Sequence, residues 1–141
     1  MKQPCNILSL LLSFFSSSID SGAGFQLEYE TSDVSKWTFR MGACGGDFTT
    51  LNGFLTSPSY PGIYPNGAEC IYTISQPTGN IILLKFLSMD INKIHWDSTC
   101  RFSDRLEIRD GPSVDSTLLE RLCGKGIPAP IKSSQNKVWI K

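Results

Sequence analysis

The chain has 141 residues, and its content of 40% apolar and 18% charged residues is that of a globular protein with room for one domain and extensions. Thirteen basic and thirteen acidic residues give a formal net charge of zero, so the sequence lacks the basic field of a nucleic-acid-binding domain. There are five cysteines without a CxxC spacing, and the single histidine, His95, is far from any cysteine pair that could build a zinc site. This cysteine content favours disulfides and an oxidising compartment.

Residues 1–18 have the order of features expected of a signal peptide. Lys2 precedes an apolar stretch at 7–15, which is followed by three serines at 16–18. The alternative is an N-terminal extension in which Cys5 is an unpaired thiol. The apolar stretch is too short to span a bilayer and no later stretch approaches ~20 apolar residues, so the sequence predicts no transmembrane segment.

Residues 19–43 contain one clear strand pattern. Phe25, Leu27 and Tyr29 alternate with polar residues and therefore predict one face of a strand. The following segment, residues 31–42, is polar with scattered aromatic residues and lacks a turn signal, so we interpret it as a linker or a weak edge strand.

From residue 44 onward, short apolar alternations separated by Gly- and Pro-rich turns predict an all-β fold, because no stretch sustains a helical period. The central run, 104–111, places Leu106 and Ile108 on a buried face and Glu107 and Arg109 on a face that we expect to be solvated. Other positions predicted to face the core are Ile82, Leu84, Phe86, Val138 and Ile140. Four cysteines in this region, at 44, 70, 100 and 123, allow three disulfide pairings.

Five motifs in this region resemble those of a CUB domain, in family order and spacing, over residues 44–141. They are Cys44-Gly-Gly, the Pro-rich run at 53–65, Cys70-Ile-Tyr-Thr-Ile74, the run at 104–111 and Leu122-Cys-Gly124. The resemblance implies a two-sheet antiparallel, jelly-roll-like sandwich. It also implies the disulfides Cys44–Cys70 and Cys100–Cys123.

The resemblance further predicts an unusual domain organisation. CUB domains usually continue past the strand at 138–141 into a closing hairpin, so we expect residues 44–141 to form a CUB domain that is incomplete at its C-terminus. Residues 20–29 resemble the closing strand of a preceding CUB domain, which assigns 19–43 to that strand plus a linker and suggests a tandem CUB array as the parent. We expect the strand at 24–29 to fill the vacant edge of its own domain or to swap into a neighbour as a dimer, with misfolding as the competing outcome.

The resemblance also suggests a weakened calcium site. In many CUB domains a Glu and an Asp flank the third cysteine and bind calcium with an Asp from a later loop. Here Asp104 matches the Asp, Tyr64 matches a supporting tyrosine, and Asn92 occupies the Glu position. A neutral amide removes one negative charge, and the third ligand is expected beyond Lys141, so calcium should bind weakly or not at all. The alternative is that Asp104 only caps the strand entrance and is solvated.

Exposed loop residues are the best candidates for ligand contact. Trp96 and Asp97 lie in the loop before Cys100 and could contact a protein ligand together with Asp104, although packing within the loop is an equal alternative. Catalysis is not expected, since the chain has one histidine, no serine elbow and no His-Glu-x-x-His motif.

The resemblance therefore implies a non-catalytic, extracellular protein-binding module of a CUB-array endocytic receptor at the cell surface and in endosomes. Its ligands would be proteins such as vitamin carriers and plasma proteins, with uptake carried out by a membrane partner. The alternatives are a substrate-recognition fragment of an extracellular protease, where CUB domains also occur, and a truncated isoform without function.

Overall fold

The structure, a computed structural model, describes residues 22–30 and 37–141, which form ten strands in two five-stranded sheets. The signal peptide predicted at 1–18 lies outside the described residues. The strands are β1 (Gly24–Glu30), β2 (Trp37–Gly42), β3 (Gly46–Phe48), β4 (Asn52–Pro58), β5 (Tyr72–Ser75), β6 (Leu83–Asp90), β7 (Leu106–Asp110), β8 (Thr117–Leu122), β9 (Ile131–Lys132) and β10 (Lys137–Ile140).

The all-β sandwich predicted from the sequence is confirmed. One sheet has the strand order β2-β4-β1-β6-β9 and the other has the order β3-β5-β10-β7-β8. Apolar side chains from both sheets form one core, and every residue predicted to face it is buried. Within the described ranges, no helix is long and apolar enough to cross a membrane.

Two outer strand pairs differ from the purely antiparallel expectation. β2 pairs with β4 and β3 pairs with β5 in parallel, whereas the other pairs of strands are antiparallel. β1 runs antiparallel to β4 and lies on its other side. Because β2 runs opposite to β1, it must lie parallel to β4.

The segment before Cys44 belongs to the first sheet. β1 occupies its centre, between β4 and β6, and the sequence at 37–42, interpreted as a linker or weak edge strand, forms the edge strand β2. The assignment of 19–43 to a preceding domain stays a prediction, but its strand completes the sheet to which β4 and β6 belong.

Both predicted disulfides are present. Cys44 and Cys70 are joined, and each lies two residues before a strand of the parallel pair β3 and β5, in which Gly46 is opposite Tyr72. This bond therefore fixes the start of a short edge strand. Close approach of the two segments requires a glycine at Gly45, since a Cβ atom there would lie 2.3 Å from the carbonyl oxygen of Ile71.

Candidate functional site

The loop that joins β6 to β7, residues 91–105, carries most of the residues predicted to bind a ligand. Its first residue, Ile91, exchanges two backbone hydrogen bonds with Gly124, at 3.0 and 2.8 Å. Nine residues further on, Cys100 is bonded to Cys123. The loop is therefore tied at two points to the chain that follows β8.

Asp97 is the centre of this loop, so of the two alternatives that the sequence left open for it, packing within the loop is the one found and contact with a ligand is not. Its side chain is only 2% exposed, and its two carboxylate oxygens accept six hydrogen bonds from the loop. Backbone N–H groups at 99, 101, 102 and 103 and the hydroxyls of Thr99 and Ser103 are the donors. The carboxylate satisfies backbone groups that the curled loop would otherwise leave without partners.

These hydrogen bonds also control the ionisation of Asp97. Burial acts to raise the pKa of its carboxyl group, but the donors at Phe102, Ser103, Arg101 and Thr99 outweigh burial and hold the pKa well below its ordinary value. Asp97 therefore stays ionised in neutral solution.

Two aromatic side chains project from the surface of this loop. Trp96 and Phe102 are each 68% exposed, and their ring centroids are 5.4 Å apart with an interplanar angle of 46°. Trp96 was predicted as a contact residue, and the structure adds Phe102 beside it. Backbone N–H groups of Phe102 and of its neighbours donate to the carboxylate of Asp97, so the backbone that carries the Phe102 ring is held in place.

Tyr64, Asn92 and Asp104, the three residues of the candidate calcium site, do come together. The Tyr64 hydroxyl donates to Asp104 Oδ2 at 2.8 Å and accepts from the Asn92 backbone N–H at 3.0 Å. Burial raises the pKa of Tyr64 to about 12, and its contact with the Asp104 carboxylate acts in the same direction. The hydroxyl therefore remains protonated and ties the end of β6 to the start of β7.

The oxygen set around Asp104 does not fit a calcium ion. Calcium takes six to eight oxygen ligands, with carboxylates supplying most of the charge. Among the described residues, no group of three or more His, Cys, Asp or Glu side chains is arranged to hold a metal ion. Asp104 Oδ2 accepts a hydrogen bond from the Tyr64 hydroxyl, so this carboxylate is shared with a neighbouring side chain.

Tyr64 and Asp104 lie on the wall of an open groove with a volume of about 700 Å³. The starts of β1 and β7, the turns at 64–70 and the end of β10 line this groove. Its charged lining residues are Glu69, Asp104, Arg105, Glu107 and Lys141, so both signs of charge are present.

Glu107 is not the solvated side chain that the sequence suggested. It is 14% exposed and binds three arginines, with distances of 3.0 Å to Arg105, 3.0 Å to Arg109 and 3.1 Å to Arg121. Burial acts to raise the pKa of Glu107, but the three guanidinium groups lower it overall. The pairing of β7 with β8 places Glu107 opposite Arg121, so only correct alignment of that hairpin could have revealed the cluster.

The two-sheet architecture and the two disulfides define this chain as a disulfide-bonded β-sandwich domain. The chain belongs to the CUB domain family, whose profile matches residues 44–141.

Similar proteins include two kinds of long CUB-containing protein. Tolloid-like protein 2 of Mus musculus is 39% identical over 132 residues, which are 94% of this chain and 12% of that protein. Cubilin of Homo sapiens is 38% identical over 133 residues, which are 94% of this chain and 3% of cubilin. Bone morphogenetic protein 1 of Xenopus laevis is 37% identical over 144 residues, or 99% of this chain and 18% of that protein. The chain thus spans less than a fifth of the length of each.

Proposed function

We propose that this chain is a non-catalytic, extracellular protein-binding module, with the Trp96–Phe102 pair as the centre of its contact surface. The observation that carries the proposal is the exposure of these two rings on a loop that is fixed by hydrogen bonds to the buried Asp97 and by the Cys100–Cys123 bond. Membership of the CUB family, whose domains mediate protein–protein interactions, supports the same conclusion.

The physical properties of the aromatic pair suit protein recognition. Aromatic side chains, and Trp above all, dominate the energetics of many interfaces because they bury a large area at a low cost in side-chain entropy. Asp97 and the Cys100–Cys123 bond fix the loop before any partner arrives. A fixed loop loses little conformational entropy on binding, which favours affinity.

For the parent protein, we propose a cubilin-like endocytic receptor of the cell surface and endosomes. The similarity to cubilin over 94% of this chain supports this proposal. In this context the domain binds soluble protein ligands, such as vitamin carriers and plasma proteins, and a membrane partner carries out uptake.

The second candidate is a substrate-recognition domain of an extracellular protease. The similarity to tolloid-like protein 2 over the same share of the chain supports this candidate equally well. The two candidates agree on the chemistry of the domain and differ in the protein that it binds.

The test is a binding assay with the folded chain immobilised and purified proteins in solution. Plasma vitamin carriers represent ligands of a receptor, and secreted precursor proteins represent substrates of a protease. For whichever set binds, replacing Trp96 and Phe102 together by alanine should weaken binding at least about tenfold, the effect expected of an interface hot spot.

Ile81→Ala is the matched control. Ile81 is an exposed apolar residue, but it lies before β6, whereas the aromatic loop follows that strand. The strand between them in the chain, β6, has eight residues and a length of about 26 Å. Equal binding by the double variant and by the Ile81 variant, with unchanged melting temperatures, would overturn the assignment of the surface.

A further inference from the structure

β1 is a central strand of the first sheet, and no disulfide links it to the rest of the sandwich. It pairs antiparallel with β4 through residues 26–29 and with β6 through residues 24–30. Both disulfides lie within residues 44–141, so neither of them includes β1. The strand is therefore held by noncovalent contacts, apart from its connection to β2 through residues 31–36.

The contacts of β1 with its surroundings extend beyond the backbone ladders. Phe25 packs edge to face on Tyr72, and Tyr29 packs in the same way on Phe48, so both rings reach the second sheet. The backbone N–H of Phe25 donates to Ser57 Oγ at 3.0 Å, and the Tyr29 hydroxyl lies 2.7 Å from Thr50 Oγ1. Such contacts select for particular side chains along the strand.

Close contacts also make the fit depend on two glycines. A Cβ atom at Gly53 of β4 would lie 2.6 to 2.8 Å from atoms of the Tyr29 side chain. A Cβ atom at Gly24 would lie 1.7 Å from Ser57 Oγ, and Gly24 has φ of 84°, a conformation that favours glycine. The space between β4 and β6 therefore matches this strand in shape as well as in hydrogen bonding.

We propose that the slot between β4 and β6 is a strand-binding site that takes the segment 22–30 from a second copy of this chain as well as from its own. Addition of a strand supplied by another chain is an established mode of recognition, in which main-chain hydrogen bonds give affinity and side-chain pockets give specificity. Here the main-chain groups are those of β4 and β6, and the pockets hold Phe25, Leu27 and Tyr29.

The test uses the full chain with a protease recognition sequence placed within residues 31–36. If the folded chain resists the protease, cleavage is carried out in mild denaturant. The cleaved protein is then returned to buffer and passed over a size-exclusion column. The N-terminal fragment should stay bound. A fluorescent peptide of residues 22–30 represents the strand of a second copy and should then replace the bound fragment. Its dissociation constant should be at least about tenfold lower than that of the same peptide with Leu27→Asp.

A peptide with Gly24→Val tests the shape of the slot separately from its apolar character, and should also bind at least about tenfold more weakly. Three results would overturn the proposal. The cleaved protein could release its fragment and keep its fold and melting temperature, it could unfold without recovery in excess peptide, or the three peptides could bind equally.

Discussion

At the scale of single residues, Asp97 illustrates how one carboxylate can define a loop. It accepts six hydrogen bonds from a stretch of five residues, and this arrangement points Trp96 and Phe102 away from the core. The Asp-x-Thr sequence at 97–99 is a signal for a turn in which the side chain binds the backbone two residues on. The sequence thus contained a hint of the structural role, although not of the complete burial.

The first prediction concerns the pH dependence of stability. Because folding lowers the pKa of Asp97, its contribution to stability is complete above the ordinary pKa of 3.8 and is lost as pH falls below that value toward the folded pKa. The melting temperature should therefore fall on acidification from about pH 5 to pH 2. In Asp97→Asn it should be lower at pH 7 and should change less over the acidic range. A variant that keeps the acid slope of the original chain would contradict this role.

Exposed residues were only partly predictable from the sequence. Trp96 was identified because a tryptophan in a polar loop is conspicuous, and the structure leaves it exposed. Phe102 was missed because an isolated aromatic residue has no periodicity from which its direction can be derived. For Asp97 the sequence left ligand contact and packing within the loop as alternatives, because the density of backbone donors that follow it depends on how the loop curls.

At the scale of elements, β1 shows what alternation can and cannot predict. Phe25, Leu27 and Tyr29 predicted the strand and its buried face correctly, and all three are in the core. Alternation contains no information about strand partners, so the central position of β1 between β4 and β6 did not follow from it. The edge strand β2 was weakly signalled because residues 31–42 are polar and lack a turn signal.

The second prediction tests whether β1 stabilises the whole domain. Leu27 is fully buried, so Leu27→Ala should lower the free energy of unfolding by about 2 to 5 kcal/mol. Leu87→Ala is the control, because that side chain is 40% exposed on the neighbouring strand β6 and its truncation should cost less than about 1 kcal/mol. Urea unfolding followed by tryptophan fluorescence provides both values. A loss at position 27 no larger than that at position 87 would show that β1 is not part of the cooperative unit.

The third prediction concerns the Cys44–Cys70 bond, which joins the starts of β3 and β5. The bond closes a loop of 26 residues, for which chain entropy predicts a stabilisation of about 3.5 kcal/mol. Replacing both cysteines by serine should lower the free energy of unfolding by a similar amount. Peptide mapping of the original chain without reduction should recover Cys44 with Cys70 and Cys100 with Cys123. Recovery of Cys70 with Cys100 as the main species would contradict the structure.

At the scale of the whole molecule, the two sheets share one core but differ in the position of the disulfides and in the part of the chain that supplies their strands. Both cysteines of the Cys44–Cys70 bond lie just before strands of the second sheet, β3 and β5, and Cys123 of the other bond directly follows its outer strand β8. The first sheet takes its central strand from the N-terminal part of the chain. The all-β class and both disulfide pairings were predicted, since they depend on turn residues and on the CUB resemblance. The parallel pairing of β2 with β4 was not, because it depends on where β1 and β2 insert around β4.

The last prediction is that calcium contributes little to the stability of the molecule. Asn92 supplies a neutral group where the CUB resemblance expects a carboxylate, and within the described ranges no three His, Cys, Asp or Glu side chains are grouped to hold a metal ion. Titration calorimetry should therefore give a dissociation constant no tighter than ~1 mM, which at ~1 mM calcium stabilises the folded state by at most about 0.4 kcal/mol. The melting temperature should accordingly be nearly the same in calcium and in chelator. Asn92→Glu adds one carboxylate and should strengthen binding less than about tenfold, because six to eight oxygens are still needed. Micromolar affinity in the unaltered chain would instead require oxygen ligands other than those around Asp104.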